Sequence, residues 1–444
     1  MDWLAVVGVV AFALGLLLSI ALHEIGHLVP AKLFGIKVSQ YMVGFGRTVW
    51  SRRRGETEYG FKAIPLGGYV RMIGMFPPEP GDDPRRLRRA STGPFQALIE
   101  DARRAAKEEI QPGDEDRLFY RKRWWRKLIV MLGGPAMNVL IAAVLAGVVL
   151  MTYGNPSQPE LRPVVSEVSA CVIPVADGDR ACTPDDPPTP AAAAGFQPGD
   201  RLVSFDGVAV TSWSAMQDLI RDHEAGTVEV VVERDGREVT LTPDLITTER
   251  SALGEPDDDG VRAPTGELET VGFLGVAPTQ EFVPEDIGGA VAWLGDFTAQ
   301  TARAVVSIPQ RMVGVWEAAF GGGEREVDGP IGIVGAGRIG GEIASADVGA
   351  TDRVATFVLL LASFNMAVAL FNLIPLLPLD GGHAAGAVWE GIKRAYARVA
   401  RRPMPRPVDV AKALPIAYGV ATLLIGMSVL LLYADIVNPI RLAG

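Results

Sequence analysis

Two histidines and a glutamate share one helical turn near the end of the first apolar run: His23-Glu24-Ile25-Gly26-His27. Residues four apart lie on one helix face, so both imidazoles can reach a single metal ion. Neutral imidazole suits zinc, and catalytic zinc sites use three protein ligands and a water. Glu24 stands beside the first ligand, placed to take a proton from that water, whose pKa zinc lowers to about 7. Gly26 keeps the helix face slim for an approaching backbone. A chance H-E-x-x-H is the alternative. The chain has only 4 histidines, however, and ionisable residues in a spanning helix are costly and mark function by default.

A third ligand is needed. His223 lies in a polar stretch, and His383 is the remaining histidine. Asp380 is the better candidate, in Asn372-Leu373-Ile374-Pro375-Leu376-Leu377-Pro378-Leu379-Asp380-Gly381-Gly382 at the close of another apolar run. Pro375 and Pro378 interrupt a helix and free backbone groups. That is tolerated at membrane depth only where protein or a water-filled cavity covers them. Gly381 and Gly382 permit an unusual backbone after the carboxylate. The alternative for Asp380 is a plain helix-end acid.

The elements that must position these groups are membrane helices. The chain has 444 residues, room for two or three domains, and 48% of them are hydrophobic. Mean hydropathy is positive. Apolar runs at roughly 4–22, 128–153, 354–379 and 413–433 are each long enough to span ~30 Å of hydrocarbon. The first resembles a signal peptide in length. It lacks a basic start and carries His23 and Glu24 where cleavage would fall, so it is expected to be retained. The net charge of −10 hides an asymmetry. Arg52, Arg53, Arg54, Arg85, Arg86, Arg88, Arg89, Arg121, Lys122 and Arg123 lie between the first two runs. Lys393, Arg394, Arg398, Arg401, Arg402 and Arg406 lie between the last two, and the middle segment is acidic, as at Asp257-Asp258-Asp259. Basic loops stay in the cytoplasm. The N-terminus and the acidic middle are therefore expected outside. The first and third runs cross in the same sense, which brings His27 and Asp380 to one depth. Abundant Ala, Gly, Val and Arg point to a GC-rich bacterial genome.

Segments 38–50 and 58–70 alternate apolar and polar residues and read as strands joined by a basic turn, Arg52-Arg53-Arg54-Gly55. Gly67-Gly68-Tyr69-Val70-Arg71 follows Pro65 and reads as an exposed edge, able to pair with an extended peptide. A purely structural hairpin at the membrane face is the alternative. From 77 to about 117 the chain is a charged insertion with one helix near 95–110. Trp124 and Trp125 are placed as interfacial anchors. Gly133, Gly134, Pro135 and Asn138 open the second span with small residues that permit close helix contact. Residues 162–278 read as a compact β-rich domain, with strands at 227–233 and 238–242 around Arg234-Asp235-Gly236-Arg237 and a helix at 214–221. Cys171 and Cys182 fall in this segment. A disulfide and a pair of free thiols are both open. An amphipathic helix is expected at 287–314. The stretch after Asp328-Gly329-Pro330-Ile331-Gly332-Ile333-Val334 is expected to lie along the outer membrane surface. The Gly321-Gly322-Gly323 run is no phosphate loop, because no Lys-Ser/Thr follows it.

These pieces together resemble the bacterial site-2 proteases, intramembrane zinc metalloproteases of the type that cleaves anti-sigma factors. The resemblance rests on HEIGH at 23–27, PLGGYVRM at 65–72, GGPAMN at 133–138, DGPIGI at 328–333 and NLIPLLPLDGG at 372–382. AGFQPGDRLVSFDG at 194–207 is similar to bacterial PDZ domains. The resemblance implies a multi-span α-helical membrane protein with four transmembrane helices. It adds a cytoplasmic-side, membrane-associated β-hairpin and an extracytoplasmic α+β PDZ domain. The implied order is a first transmembrane helix (1–37), hairpin region (38–75), cytoplasmic insertion (76–123) and second transmembrane helix (124–153). The PDZ domain (160–280), a juxtamembrane segment (281–350), a third helix with the LDG motif (351–392), a cytoplasmic loop (393–412) and a fourth helix (413–436) follow.

By the same resemblance His23, His27 and Asp380 match the ligands of one Zn²⁺ per chain, and Glu24 matches the catalytic base. Asn372 matches an asparagine that binds substrate near the metal. The strand with Gly67, Gly68, Tyr69 and Val70 matches a hairpin that contacts substrate. Implied partners are the lipid bilayer and membrane-protein substrates such as anti-sigma factors, cut first by an upstream site-1 protease. No nucleic-acid partner is expected. The chain departs from some relatives in showing one PDZ signature rather than two, and in carrying residues 171–190, with both cysteines, as an insertion beside the peptide groove. A non-catalytic PDZ adaptor, a metal transporter and a peptidase for signal-peptide remnants are the competing readings. The presence of Glu24 argues against the adaptor, and the single compact ligand set argues against the transporter.

Overall fold

The computed structural model describes residues 3–77 and 99–440, except 101, 102, 105, 107, 157, 158, 176–179, 255–263, 324, 327 and 328. The basic residues at 85–89, Asp257 to Asp259, Asp328 and half of the expected 95–110 helix therefore lie outside the described residues. The chain divides into two compact units, Met1–Met151 with Asp286–Gly444, and Thr152–Glu285.

The first unit is built on helices. α1 spans Trp3–Leu33 and α2 spans Trp124–Thr152. Among the described residues, four helical segments are long and apolar enough to cross a membrane: Trp3–Leu33, Trp124–Thr152, Ala350–Asn372 and Val410–Val437. Val7, Leu14, Leu18, Leu140, Leu423 and Ile425 stand exposed on them. Such apolar surface would be a liability in water and is at home in lipid. With no hydrophobic drive between helices in lipid, close packing through small residues takes over. Gly26 of α1 meets Gly133 of α2 backbone to backbone, and a Cβ on Gly26 would lie 3.0 Å from the Gly134 Cα.

Two strands follow α1: β1 (Val38–Arg54) and β2 (Thr57–Met72). The arginines expected in the turn are part of β1, and the turn is Gly55-Glu56. Gly55 has φ +63°, which supplies the left-handed conformation a tight hairpin needs. The pair is irregular. Val43 registers with both Gly68 and Phe61, so the strands fold back on one another. Beneath them Leu28, Ala31, Ile36, Val38, Met72, Phe119, Val130, Met131 and Ala384 form one buried cluster.

The second unit holds β3 (Glu160–Val168), α3 (Pro190–Ala194), β4 (Arg201–Phe205), β5 (Val208–Ala209), α4 (Trp213–Asp222) and β6 (Gly226–Thr227), then β7 (Val230–Arg234), β8 (Arg237–Leu241), β9 (Asp244–Leu253), β10 (Pro264–Phe273) and β11 (Val276–Glu281). One sheet runs β11-β3-β4-β7-β8 with β5 on β4, and a second runs β10-β9-β6. Phe205, Leu202, Met216, Trp213 and Leu274 lead its core. Ser212 caps α4 by accepting from the Ala215 amide at 3.1 Å. Cys171 and Cys182 are joined by a disulfide, with Cα atoms 5.9 Å apart.

The first unit resumes with α5 (Ile287–Phe320), α6 (Ile333–Ser345), α7 (Ala350–Asn372), α8 (Asp380–Val399) and α9 (Leu414–Val437). The Gly/Ala-rich stretch is a helix, and a Cβ on its Gly341 would lie 2.9 Å from the Ala5 carbonyl of α1. Two expectations change here. The amphipathic helix of 287–314 continues to Phe320. The single third helix of 351–392 is two helices. Pro375 and Pro378 have no amide to donate, so α7 stops at Asn372 and Asp380 begins a new helix. That helix takes up residues 393–399, which were expected in a loop.

Candidate metal centre

α1 carries His23, Glu24 and His27 into the interior, and α8 presents Asp380 in its first turn. His27 Nδ1 lies 2.7 Å from the Val130 carbonyl on α2. A carbonyl only accepts, so Nδ1 donates and Nε2 keeps its lone pair for a metal. The two Nε2 atoms are 3.3 Å apart. Asp380 Oδ2 is 3.3 Å from each of them. An equilateral set of three donors is what zinc requires, because tetrahedral bonds of about 2.0–2.1 Å place neighbouring ligand atoms about 3.3 Å apart. The chemistry of the donors and their spacing therefore fit Zn²⁺. Gly134 forms the floor. A Cβ there would sit 2.6 Å from His23 Nε2 and would also strike His27 Nε2.

Glu24 is buried beside the three. Gly68 of β2 packs on it so closely that a Cβ would lie 3.2 Å from Oε1. Tyr41 of β1 donates to the Ala21 carbonyl at 2.8 Å. Burial first, and then the charge of Glu24, push the Tyr41 phenol up to about 12, so it stays a neutral donor. His383, three residues beyond Asp380, has its imidazole pushed down by burial.

A cavity of about 370 Å³ opens onto the donors, with Glu24, Gly67, Gly68 and Asn372 on its walls. The expected substrate contacts divide here. Gly67, Gly68 and Asn372 face this space, whereas Tyr69 donates to Gln40 Oε1 at 3.2 Å and Val70 packs on the cluster under the hairpin. Cys171 and Cys182 belong to the other unit and take no part. Sequence reasoning missed Val130, whose main-chain carbonyl leaves no residue-type signal. It also missed Asn365, which donates to Ser19 Oγ at 3.0 Å on the cavity wall. Its spacing of seven from Asn372 puts both on one helix face and was a usable signal.

The profile of Peptidase family M50 matches residues 11–408. The chain belongs to peptidase family M50. Like others of this site-2 type, the M50 protein is a zinc metalloendopeptidase of the membrane that acts on membrane-protein substrates. It is 37% identical to zinc metalloprotease Rip1 of Mycobacterium tuberculosis H37Rv over 98% of this chain and 99% of that protein. It is 33% identical to Rip1 of Mycolicibacterium smegmatis over 98% of each chain. It is 27% identical to metalloprotease MmpA of Caulobacter vibrioides over 87% of this chain and 85% of that one.

Proposed function

We propose that His23, His27 and Asp380 hold the zinc and that Glu24 is the general base in hydrolysis of a peptide bond within a substrate's transmembrane segment. The observation that carries this is the equilateral set of donor atoms at 3.3 Å with a buried carboxylate beside it. Bound zinc would supply Lewis-acid activation of a water and of the scissile carbonyl. Glu24 takes the proton released and returns it to the leaving amine nitrogen as the C–N bond breaks. A helical substrate must unwind first, since its carbonyls are otherwise hydrogen-bonded. The edge at Gly67 and Gly68 holds it extended against the cavity, and Asn372 hydrogen-bonds its backbone near the metal.

The charge asymmetry supports a topology with the N-terminus and the 160–280 unit outside and the metal toward the cytoplasm. That unit is read as a PDZ domain on AGFQPGDRLVSFDG, and the substrate as an anti-sigma factor already trimmed by a site-1 protease. Glu24→Gln tests the chemistry. At equal bound zinc, the purified variant should fail to cleave a single-span anti-sigma substrate that the parent cuts. Cleavage at the parent rate would remove Glu24 from the mechanism. A parent that cuts signal-peptide remnants but no trimmed anti-sigma factor would replace the substrate class.

A further inference from the structure

Lys127 and Glu390 form an ion pair that the mechanism above does not use. Lys127 Nζ lies 2.7 Å from Glu390 Oε2, with the two side chains 6% and 1% exposed. Arg394 stands 2.9 Å from the other carboxylate oxygen, and the Val408 amide donates to Oε2 at 3.3 Å. A buried pair of this kind seldom stabilises more than apolar residues of the same volume, and setting register is its best-attested use.

Its position suggests what register it sets. Lys127 is on α2, one turn before Val130, whose carbonyl orients His27. Glu390 is on α8, the helix that Asp380 opens. The pair thus ties the helix that begins at Asp380 to the helix whose Val130 carbonyl orients His27, the histidines themselves being on α1. On the α8 side the apolar contact is made by small residues. Ala384 and Ala387 are buried on α8, and a Cβ on Gly391 would lie 2.8 Å from the Trp124 ring. α8 thus contributes few knobs of its own to stop sliding, Trp124 lying over a bare glycine. A slip of one residue would move Asp380 by about 1.5 Å along the axis and turn it by about 100°, which would break the 3.3 Å set of donors.

We propose that the Lys127–Glu390 pair fixes the register of α8 on α2 and so holds Asp380 at ligand distance from His27, making both positioning residues for the metal. The inference rests on the ligand assignment proposed above. It is tested on the purified full chain by zinc affinity, from competition with a chromophoric chelator, read beside the melting temperature of the zinc-free protein. Lys127→Met should weaken zinc about 10–100-fold, the range seen when partners behind metal ligands are removed. Glu390→Gln, which keeps the shape, should weaken it in the same direction. Lys127→Arg should stay near the parent value. The apolar pair Lys127→Met with Glu390→Leu should regain the melting temperature without regaining the affinity. Arg325→Met, which breaks a different buried pair, should lower the melting temperature and leave zinc affinity unchanged.

Parent-like affinity in Lys127→Met and Glu390→Gln, or affinity that tracks melting temperature across all variants, would overturn the proposal. His23→Ala separates the two claims. Zinc bound as tightly by that variant as by the parent would overturn the ligand assignment, and the inference with it. Loss of zinc there with no effect at Lys127 and Glu390 would overturn the positioning role alone.

Discussion

At the scale of single residues, the centre depends as much on what is missing as on what is present. Gly134 leaves room for both imidazoles, since a methyl there would meet His23 Nε2 at 2.6 Å. Gly134→Ala should therefore fold and yet lose bound zinc, as metal content after dialysis would report. Full zinc content would mean the helices can separate by about 1 Å at no cost to the site. Tyr41 shows a complementary arrangement. Its phenol, pushed up to about 12, stays protonated and donates to the Ala21 carbonyl in the turn before His23.

Among the elements, α6 lacks a cap of its own, because Gly332 at its start has no side chain to offer. Asp435 on α9 supplies one from a distance, accepting from the Gly332 and Gly335 amides at 3.0 and 2.8 Å. Arg325 completes the set at 2.8 Å, with both side chains almost fully buried. The glycines are obligatory there, since a Cβ on Gly332 or Gly335 would fall within 2.6 or 2.8 Å of the carboxylate. Asp435→Ala would strand a buried guanidinium and uncap α6 together. It should cost about 3–5 kcal/mol, read as a fall in the midpoint of thermal or denaturant unfolding. A change within about 0.5 kcal/mol, the size usual for surface substitutions, would show that the clasp contributes nothing.

For the molecule as a whole, the two units answer to different solvents. The helical unit leaves apolar side chains outward, while the 152–285 unit closes its own core around Phe205, Trp213 and Met216. That second unit also carries a pH-sensitive tie. Burial opposes the charge on Asp200, but Arg234, donating at 2.6 and 2.7 Å, and the Gln197 amide hold its carboxyl below the ordinary range. A depressed carboxylate contributes stability that is present above its unfolded pKa, about 3.9, and is lost as pH falls through the folded value. Melting of the full chain should therefore drop in acid below about pH 4, and Asp200→Asn should flatten that limb. An unchanged limb in the variant would assign acid sensitivity to other carboxylates.

The chemistry and the class of this protein were legible in its amino-acid sequence because they are carried by local pattern. Helical spacing put His23 and His27 on one face, apolar length marked four spans, and Asp380 stood out where prolines ended a run. The alternation in 38–70 likewise announced strands, though not where they turn, because any of several residues near Arg54 could have opened the hairpin until Gly55 took the left-handed conformation. What tertiary structure alone decided lies in contacts between distant segments. The carbonyl that orients His27 comes from 103 residues away. The cap of α6 comes from 103 and 100 residues away. The pair that ties Asp380's helix to α2 spans 263. Periodicity reports the environment of a segment against its neighbours in sequence. It carries no record of which main-chain oxygen or which buried charge another segment will bring to it.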